Sequence, residues 1–84
     1  MNIYVGNLDY RVDDQDLVEV FEDYGTVNSS KVITDRDSGR SKGFGFVSMD
    51  SKSDAQKAIE ELNGATYEDR KIVVNEAKPK KSSF

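Results

Sequence analysis

Lys42-Gly43-Phe44-Gly45-Phe46-Val47-Ser48-Met49 is the stretch whose residue types and spacing point most directly to chemistry. In an extended strand alternate side chains face opposite sides. Lys42, Phe44, Phe46 and Ser48 therefore share one face, and Gly43, Gly45, Val47 and Met49 share the other. Val and Met suit a core. Two phenylalanines beside a lysine and a serine do not, and on an open face they make an apolar platform with a cation next to it. Two rings on a face that also carries a charge look like a platform meant to be touched. The interleaved glycines add a second signal, because glycine in a strand costs stability and often marks the close approach of another group.

Other chemistries have little to work with. The chain has no histidine, so it lacks the commonest metal ligand and the commonest general base near neutral pH. It has no cysteine, which removes disulfides, zinc–thiolate sites and thiol chemistry. The turn Gly6 to Arg11 is the one candidate anion cradle, but it contains Asp9 and no glycine cluster. Gly43-Phe44-Gly45 lacks a third glycine and lies within a strand, so it is no dinucleotide fingerprint. We expect no catalysis, no metal and no cofactor. No apolar run approaches the ~20 residues of a membrane span, and no basic-then-apolar leader opens the chain. The expectation is a soluble, cytoplasmic monomer with no membrane or small-molecule partner.

The net charge of −4 runs against the basic character usual in nucleic-acid binders, but the charge is unevenly spread. Residues 1–25 carry seven acids and one base, and residues 50–69 six acids and two bases. Residues 26–49 carry four bases and two acids, and residues 70–84 five bases and one acid. If the acidic blocks are helical and the basic blocks are strands and loops, the two signs separate onto opposite sides of the molecule.

The elements needed to position the octapeptide can be read along the chain. Asn2 to Leu8 is a short strand with Ile3 and Val5 inward and Tyr4 on the opposite face. Asp13 is a helix N-cap with Asp16 three residues on, in the manner of a capping box. Leu17, Val20, Phe21 and Tyr24 then form one apolar helix face, stopped by Gly25. Asp14, Asp16, Glu19, Glu22 and Asp23 are read as its solvated side. Val27 to Thr34 is a second strand, with Val32 inward and Ser29, Lys31 and Ile33 outward. The polar turn Asp35 to Ser41 leads into the octapeptide strand. Ser51 and Asp54 repeat the capping pattern, and Ala55, Ala58, Ile59 and Leu62 repeat the apolar stripe before Asn63-Gly64 ends it. Lys71 to Asn75 is the last strand, with Ile72 and Val74 inward and Val73 and Asn75 outward. Eighty-four residues make one domain, placed at residues 1–78, with a short basic tail over 79–84.

This order is strand–helix–strand twice over, which fits a split-βαβ, ferredoxin-like α+β sandwich. Two amphipathic helices can cover only one face of a four-stranded sheet. The other face is left open, and Tyr4, Phe44 and Phe46 all point to it.

With both motifs in place, the chain resembles the RNA recognition motif family from about Asn2 to Lys78. Lys42 to Met49 matches the family octapeptide at all but its last position, where Met49 replaces an aromatic. Ile3 to Leu8 matches the family hexapeptide. Asp69 stands where the family often has glycine, a position that Asp tolerates in left-handed conformation better than most residues. The chain resembles the small stand-alone single-domain members found in bacteria, and also the RNA-binding half of plant glycine-rich proteins. The resemblance implies an antiparallel sheet ordered 4-1-3-2 and single-stranded RNA as partner. It implies that Tyr4 and Phe44 each stack a base and that Phe46 packs against sugars. Lys42 and Arg40 would neutralise phosphates, and Lys31, Asn75, Ala77 and Lys78 would meet base edges. The rival readings are a protein-interaction module on the same fold, a single-stranded DNA binder, and an acylphosphatase-like enzyme or metal carrier. The three sheet aromatics argue against the first, and the missing cysteine pair and anion cradle against the last.

Overall fold

A computed structural model describes residues 1–77; Lys78 and the tail over 79–84 lie outside them. Strand β1 spans Asn2–Gly6, helix α1 Asp14–Glu22, β2 Val27–Thr34, β3 Ser41–Met49 and α2 Lys52–Leu62. Two short strands, β4 (Thr66–Tyr67) and β5 (Arg70–Lys71), precede β6 (Val73–Glu76). The main sheet is antiparallel in the order β2-β3-β1-β6. This is the 4-1-3-2 order read from the other edge. Helix α1 packs on β2 and β3, and α2 packs on β6 and β3, both on one side of the sheet.

The core follows the strand alternation. Ile3, Val5, Val47, Met49 and Val74 are all within 1 % of full burial, and they meet Leu17 and Phe21 of α1 and Ala55 and Ala58 of α2. Met49 therefore fills the apolar layer that an aromatic would otherwise occupy, as an unbranched and adaptable side chain can. Burying side chains of this size contributes about 1.5–3 kcal/mol each against solvent exposure. The charged residues stay out of this layer: among the described residues no polar or charged side chain is buried.

Helix α1 begins as its sequence demands. The Asp13 carboxylate accepts the Asp16 N–H at 2.9 Å and the Asp16 carboxylate accepts the Asp13 N–H at 3.0 Å, a complete capping box. Helix α2 has half of this arrangement, with Ser51 Oγ accepting the Asp54 N–H at 3.3 Å. Helix α1 ends earlier than its apolar stripe suggests. The Tyr24 and Gly25 N–H groups reach back three residues to Phe21 and Glu22, at 3.0 and 3.3 Å. Tyr24 keeps its contact with the core from this tightened turn.

Two corrections concern polar residues and the last strand. Asp14 is no mere solvated acid: its Oδ1 accepts the Val32 N–H at 2.6 Å, and its carbonyl accepts Ser30 Oγ at 2.7 Å. Asn63, read only as a helix stop, accepts the Val74 N–H at 3.0 Å through Oδ1. Strands β2 and β6 are the two sheet edges, and exposed edges with unpaired N–H groups invite pairing with other chains. A side chain from the start of α1 blocks one edge and one from the end of α2 blocks the other. The segment read as a single strand, Lys71 to Asn75, is divided. Arg70 and Lys71 pair with Tyr67 and Thr66 in a separate hairpin, while Val73 to Glu76 pair with β1. Ile72 sits between them, buried, with its N–H on Ala65 and its carbonyl on Gly64. Glu68 and Asp69 close the hairpin with φ of 52° and 63°, the backbone of a two-residue primed turn.

The edge contacts generate a stability prediction. Replacing Asp14 or Asn63 by Ala leaves a partly buried N–H unpaired, and each should cost about 1–2 kcal/mol. Asp14→Asn, which keeps an acceptor oxygen, should retain most of that stability. Urea unfolding with an unchanged m-value measures it; wild-type midpoints for both Ala variants would remove the edge role.

Candidate nucleic-acid interface

The uncovered face of the sheet is built in rungs. Registers place Lys31 opposite Phe46, Phe46 opposite Tyr4 and Tyr4 opposite Asn75. One row across β2, β3, β1 and β6 thus reads cation, ring, ring, amide, all on the side away from the helices. Phe44 lies one step further along β3. The three rings form a closed cluster, with centroids 6.0 Å apart for Tyr4–Phe44, 5.8 Å for Tyr4–Phe46 and 6.2 Å for Phe44–Phe46. Tyr4 and Phe44 are tilted by 32° from one another, and Phe46 stands edge-on to both, at 63° and 89°. These are favourable aromatic geometries, so the rings are held in place before any ligand arrives. Phe46 remains 39 % exposed, while Tyr4 and Phe44 are partly buried.

Two glycines make this arrangement possible for different reasons. A Cβ on Gly6 would lie 2.5 Å from the Tyr4 hydroxyl and 2.9 Å from its ring carbons. The Tyr4 ring lies along its own strand over the bare backbone of Gly6, which draws it toward Phe44. The signal for this in the sequence is the place of Gly6 two residues after an outward aromatic. Gly45 marks a close approach, but the approaching group belongs to the chain itself. A Cβ there would sit 2.5 Å from the Lys31 carbonyl oxygen and 3.0 Å from Val32 Cα. Beside this point the β2–β3 register shifts between Val32 and Thr34.

The cations lie at the end of the platform. Lys42 and Arg40 are exposed at and beside the start of β3. The loop that carries Arg40 is ordered by Asp35, whose Oδ1 accepts the Asp37 N–H at 2.8 Å and the Ser38 N–H at 3.1 Å. The Ser38 and Asp37 N–H groups hold the Asp35 carboxyl below its ordinary value, with Lys42 a lesser contributor. A lowered carboxyl pKa means that this contribution is complete above the ordinary carboxylate value and fades only as pH falls through the lowered one. The loop is thus held at neutral pH. Ala77 lies beyond the end of β6, its N–H bound to the Asn2 carbonyl at 2.9 Å. Its own carbonyl is the group it can offer. Lys78 lies outside the described residues.

Sequence reasoning missed Asn7, Tyr10 and Arg70. Asn7 adopts φ of 56°, donates from Nδ2 to the Lys71 carbonyl at 2.7 Å and accepts from Arg70 at 3.4 Å. It ties the loop after β1 to the β4–β5 hairpin. Tyr10 is 66 % exposed, with the Arg70 guanidinium carbon 5.6 Å from its ring centroid. Arg11 pairs with Asp9 at 3.0 Å and with Glu68 at 3.6 Å. The hydrogen bond from the Arg11 side chain is the main reason the Asp9 carboxyl lies below its usual value.

A hollow of ≈ 580 Å³ also opens between the start of α1 and β2, but Asp13 and Asp14 line it. Arg11 and Lys31 line it as well, so its charges balance and it offers no net cation to a phosphate. The open sheet face combines rings and cations, and it is the surface suited to a nucleic-acid strand.

Comparison with known proteins agrees with this geometry. The chain is 46 % identical to RbpA of Synechocystis over 82 residues, covering 98 % of this chain and 81 % of that protein. It is 51 % identical over 84 residues to the 29 kDa chloroplastic ribonucleoprotein of Arabidopsis thaliana, of which it spans 25 %. The crystal structure of the RNA-binding protein PG1 superposes with a TM-score of 0.92 at 52 % identity, over 98 % of this chain and 99 % of that one. A Sxl-lethal protein–RNA complex superposes with a TM-score of 0.89 at 33 % identity, over 98 % and 49 %. Residues 3–73 match the RNA recognition motif model, and the chain belongs to that family.

Proposed function

We propose that this protein binds single-stranded RNA on the open face of its sheet. Bases stack on Tyr4 and Phe44, and Phe46 packs against the sugars between them. Lys42 and Arg40 neutralise phosphates. Lys31 and Asn75, at the two ends of the Phe46–Tyr4 rung, meet base edges, and the Ala77 carbonyl accepts from one. The observation that carries this reading is the ring cluster itself: three aromatics within 6.2 Å of one another on the face that the helices leave bare. Burial does not require them there, and a base has the flat apolar surface they match. Family membership, the RNA in the Sxl-lethal complex and the RNA-binding designation of PG1 support the same reading. The acidic helices lie behind the sheet, so the negative net charge does not face the strand. With two or three bases on the sheet, affinity is modest.

The test is binding to a randomised single-stranded RNA pool at two salt concentrations, with an all-deoxy pool of equal length as competitor. Tyr4→Ala and Phe44→Ala should each weaken RNA binding by about 1–3 kcal/mol with the fold intact. Wild-type affinity in both variants would end the stacking model. Equal competition by the deoxy pool would reassign the platform to single strands of either sugar.

Lys42→Ala should lower affinity almost uniformly across sequences and flatten the salt dependence by about one counterion. A changed sequence preference with the salt slope intact would contradict a phosphate role.

Gly6→Ala separates the platform from the fold. The atoms a new methyl meets are the far end of the Tyr4 side chain and not backbone, so the ring is displaced while the sheet persists. Thermal stability should stay close to wild type while RNA affinity falls toward that of Tyr4→Ala. An unchanged affinity would show that the Tyr4 ring need not lie over Gly6.

A further inference from the structure

We propose that the outer edge of β2, where it passes the start of α1, takes an extended segment of a partner protein that pairs by its backbone with Val32 and Thr34. The site is separate from the ring cluster, and the inference does not rest on the reading of that cluster.

The backbone decides which groups are free to pair. β2 is an edge strand, and in an antiparallel pair successive residues turn their N–H and C=O groups alternately toward the neighbour and away from it. The Val32 N–H turns outward to Asp14, and the Asp35 N–H turns inward to the Arg40 carbonyl at 2.7 Å. The Val32 carbonyl and both backbone groups of Thr34 therefore face outward. No described residue bonds any of the three, and Thr34 is exposed. The Asp14 block covers the Val32 N–H alone, and an edge left open beside it can accept another chain.

Asp14 also sets the direction of that chain. A strand parallel to β2 can bond all three groups and stay clear of the Asp14 carboxylate. An antiparallel strand that reached the Val32 carbonyl would set its own carbonyl against that carboxylate.

These groups border the ≈ 580 Å³ hollow between the start of α1 and β2, which has room for a short extended segment. Val12 and Val32, both nearly buried, supply apolar lining together with Tyr10. The charges around it are already engaged: Asp13 in the helix cap, Asp14 on Val32, and Arg11 on Asp9 and Glu68. Lys31 belongs to the rung on the open face. A neutral backbone with donors and acceptors in alternation matches a charge-balanced hollow on a strand edge, and a chain of phosphates does not. Main-chain bonds of this kind supply the affinity when a peptide adds to a sheet. Tyr10, Gly39 and Ser41 border this hollow and also the ≈ 910 Å³ hollow beside Lys42 and Phe44. A protein seated here thus lies next to the aromatic face without covering it.

The experiment selects binders to the full chain from a random heptapeptide library and maps them by amide chemical shifts and amide exchange. Selected peptides should shift Val32, Thr34, Gly39 and Ser41 and slow the exchange of the Thr34 N–H. Replacing each peptide N–H in turn by an ester oxygen should weaken binding at alternate positions only, by about two- to tenfold. Thr34→Pro, which removes a donor from an edge position, should weaken binding by a similar factor. A nitroxide on the peptide C-terminus should broaden Gly39, and one on its N-terminus Gln15. The proposal is overturned if the library yields no binder, if selected peptides shift residues elsewhere, or if the ester scan shows no alternation. A reversed nitroxide pattern would overturn it as well, and so would randomised single-stranded RNA that shifts Val12, Val32 and Thr34 where peptides do not.

Discussion

Side-chain alternation along β1 and β3 is the constraint on which the rest of the molecule depends. The same two strands send Ile3, Val5, Val47 and Met49 into the core and Tyr4, Phe44 and Phe46 to the open face. A slip of one residue in either strand would exchange the two sets, burying the rings and exposing the aliphatics. Burial of the aliphatic face therefore fixes the register, and the register sets which rings meet. The ring cluster needs no loop to assemble it, because the core holds it in place from behind.

The edges and ends of the sheet carry the remaining polar structure. Asp14 and Asn63 each occupy an N–H on an outer strand, one from each βαβ half. The same two contacts anchor a helix terminus to the strand it covers and close those two positions to further pairing. At the other extreme, the β4–β5 hairpin and the loop after β1 are joined through Asn7. That link brings Arg70 over Tyr10 and sets a cation and a ring at the end of the aromatic platform. Glycine plays two parts in this economy. At Gly45 the absent side chain admits the neighbouring strand, and at Gly6 it admits the Tyr4 ring.

Much of this was legible because it rests on local rules. The Asp13–Asp16 box, the two apolar stripes and the inward Met49 follow from periodicity and capping chemistry, which act over a few residues. The aromatic triad was legible for the same reason: alternation places Tyr4, Phe44 and Phe46 on one side as soon as the helices are assigned to the other. The division of Lys71 to Asn75 was not. Nothing local separates Lys71 from Val73, because the break is set by competing partners, Thr66 on one side and Gly6 on the other.

The sequence by itself determined the order of elements, the composition of each face and the rings that would share the open one. Tertiary structure decided which backbone groups the polar residues serve. Asp14 looks like any other helix acid until β2 brings the Val32 N–H to it, and Gly45 looks like a gap for a ligand until β2 fills it. Tyr10 and Arg70 are far apart in the chain and meet through the Asn7 contact and the hairpin turn. Periodicity reports the direction of a side chain relative to its own element. Its partner depends on how distant elements pack, and that is settled only when the core closes.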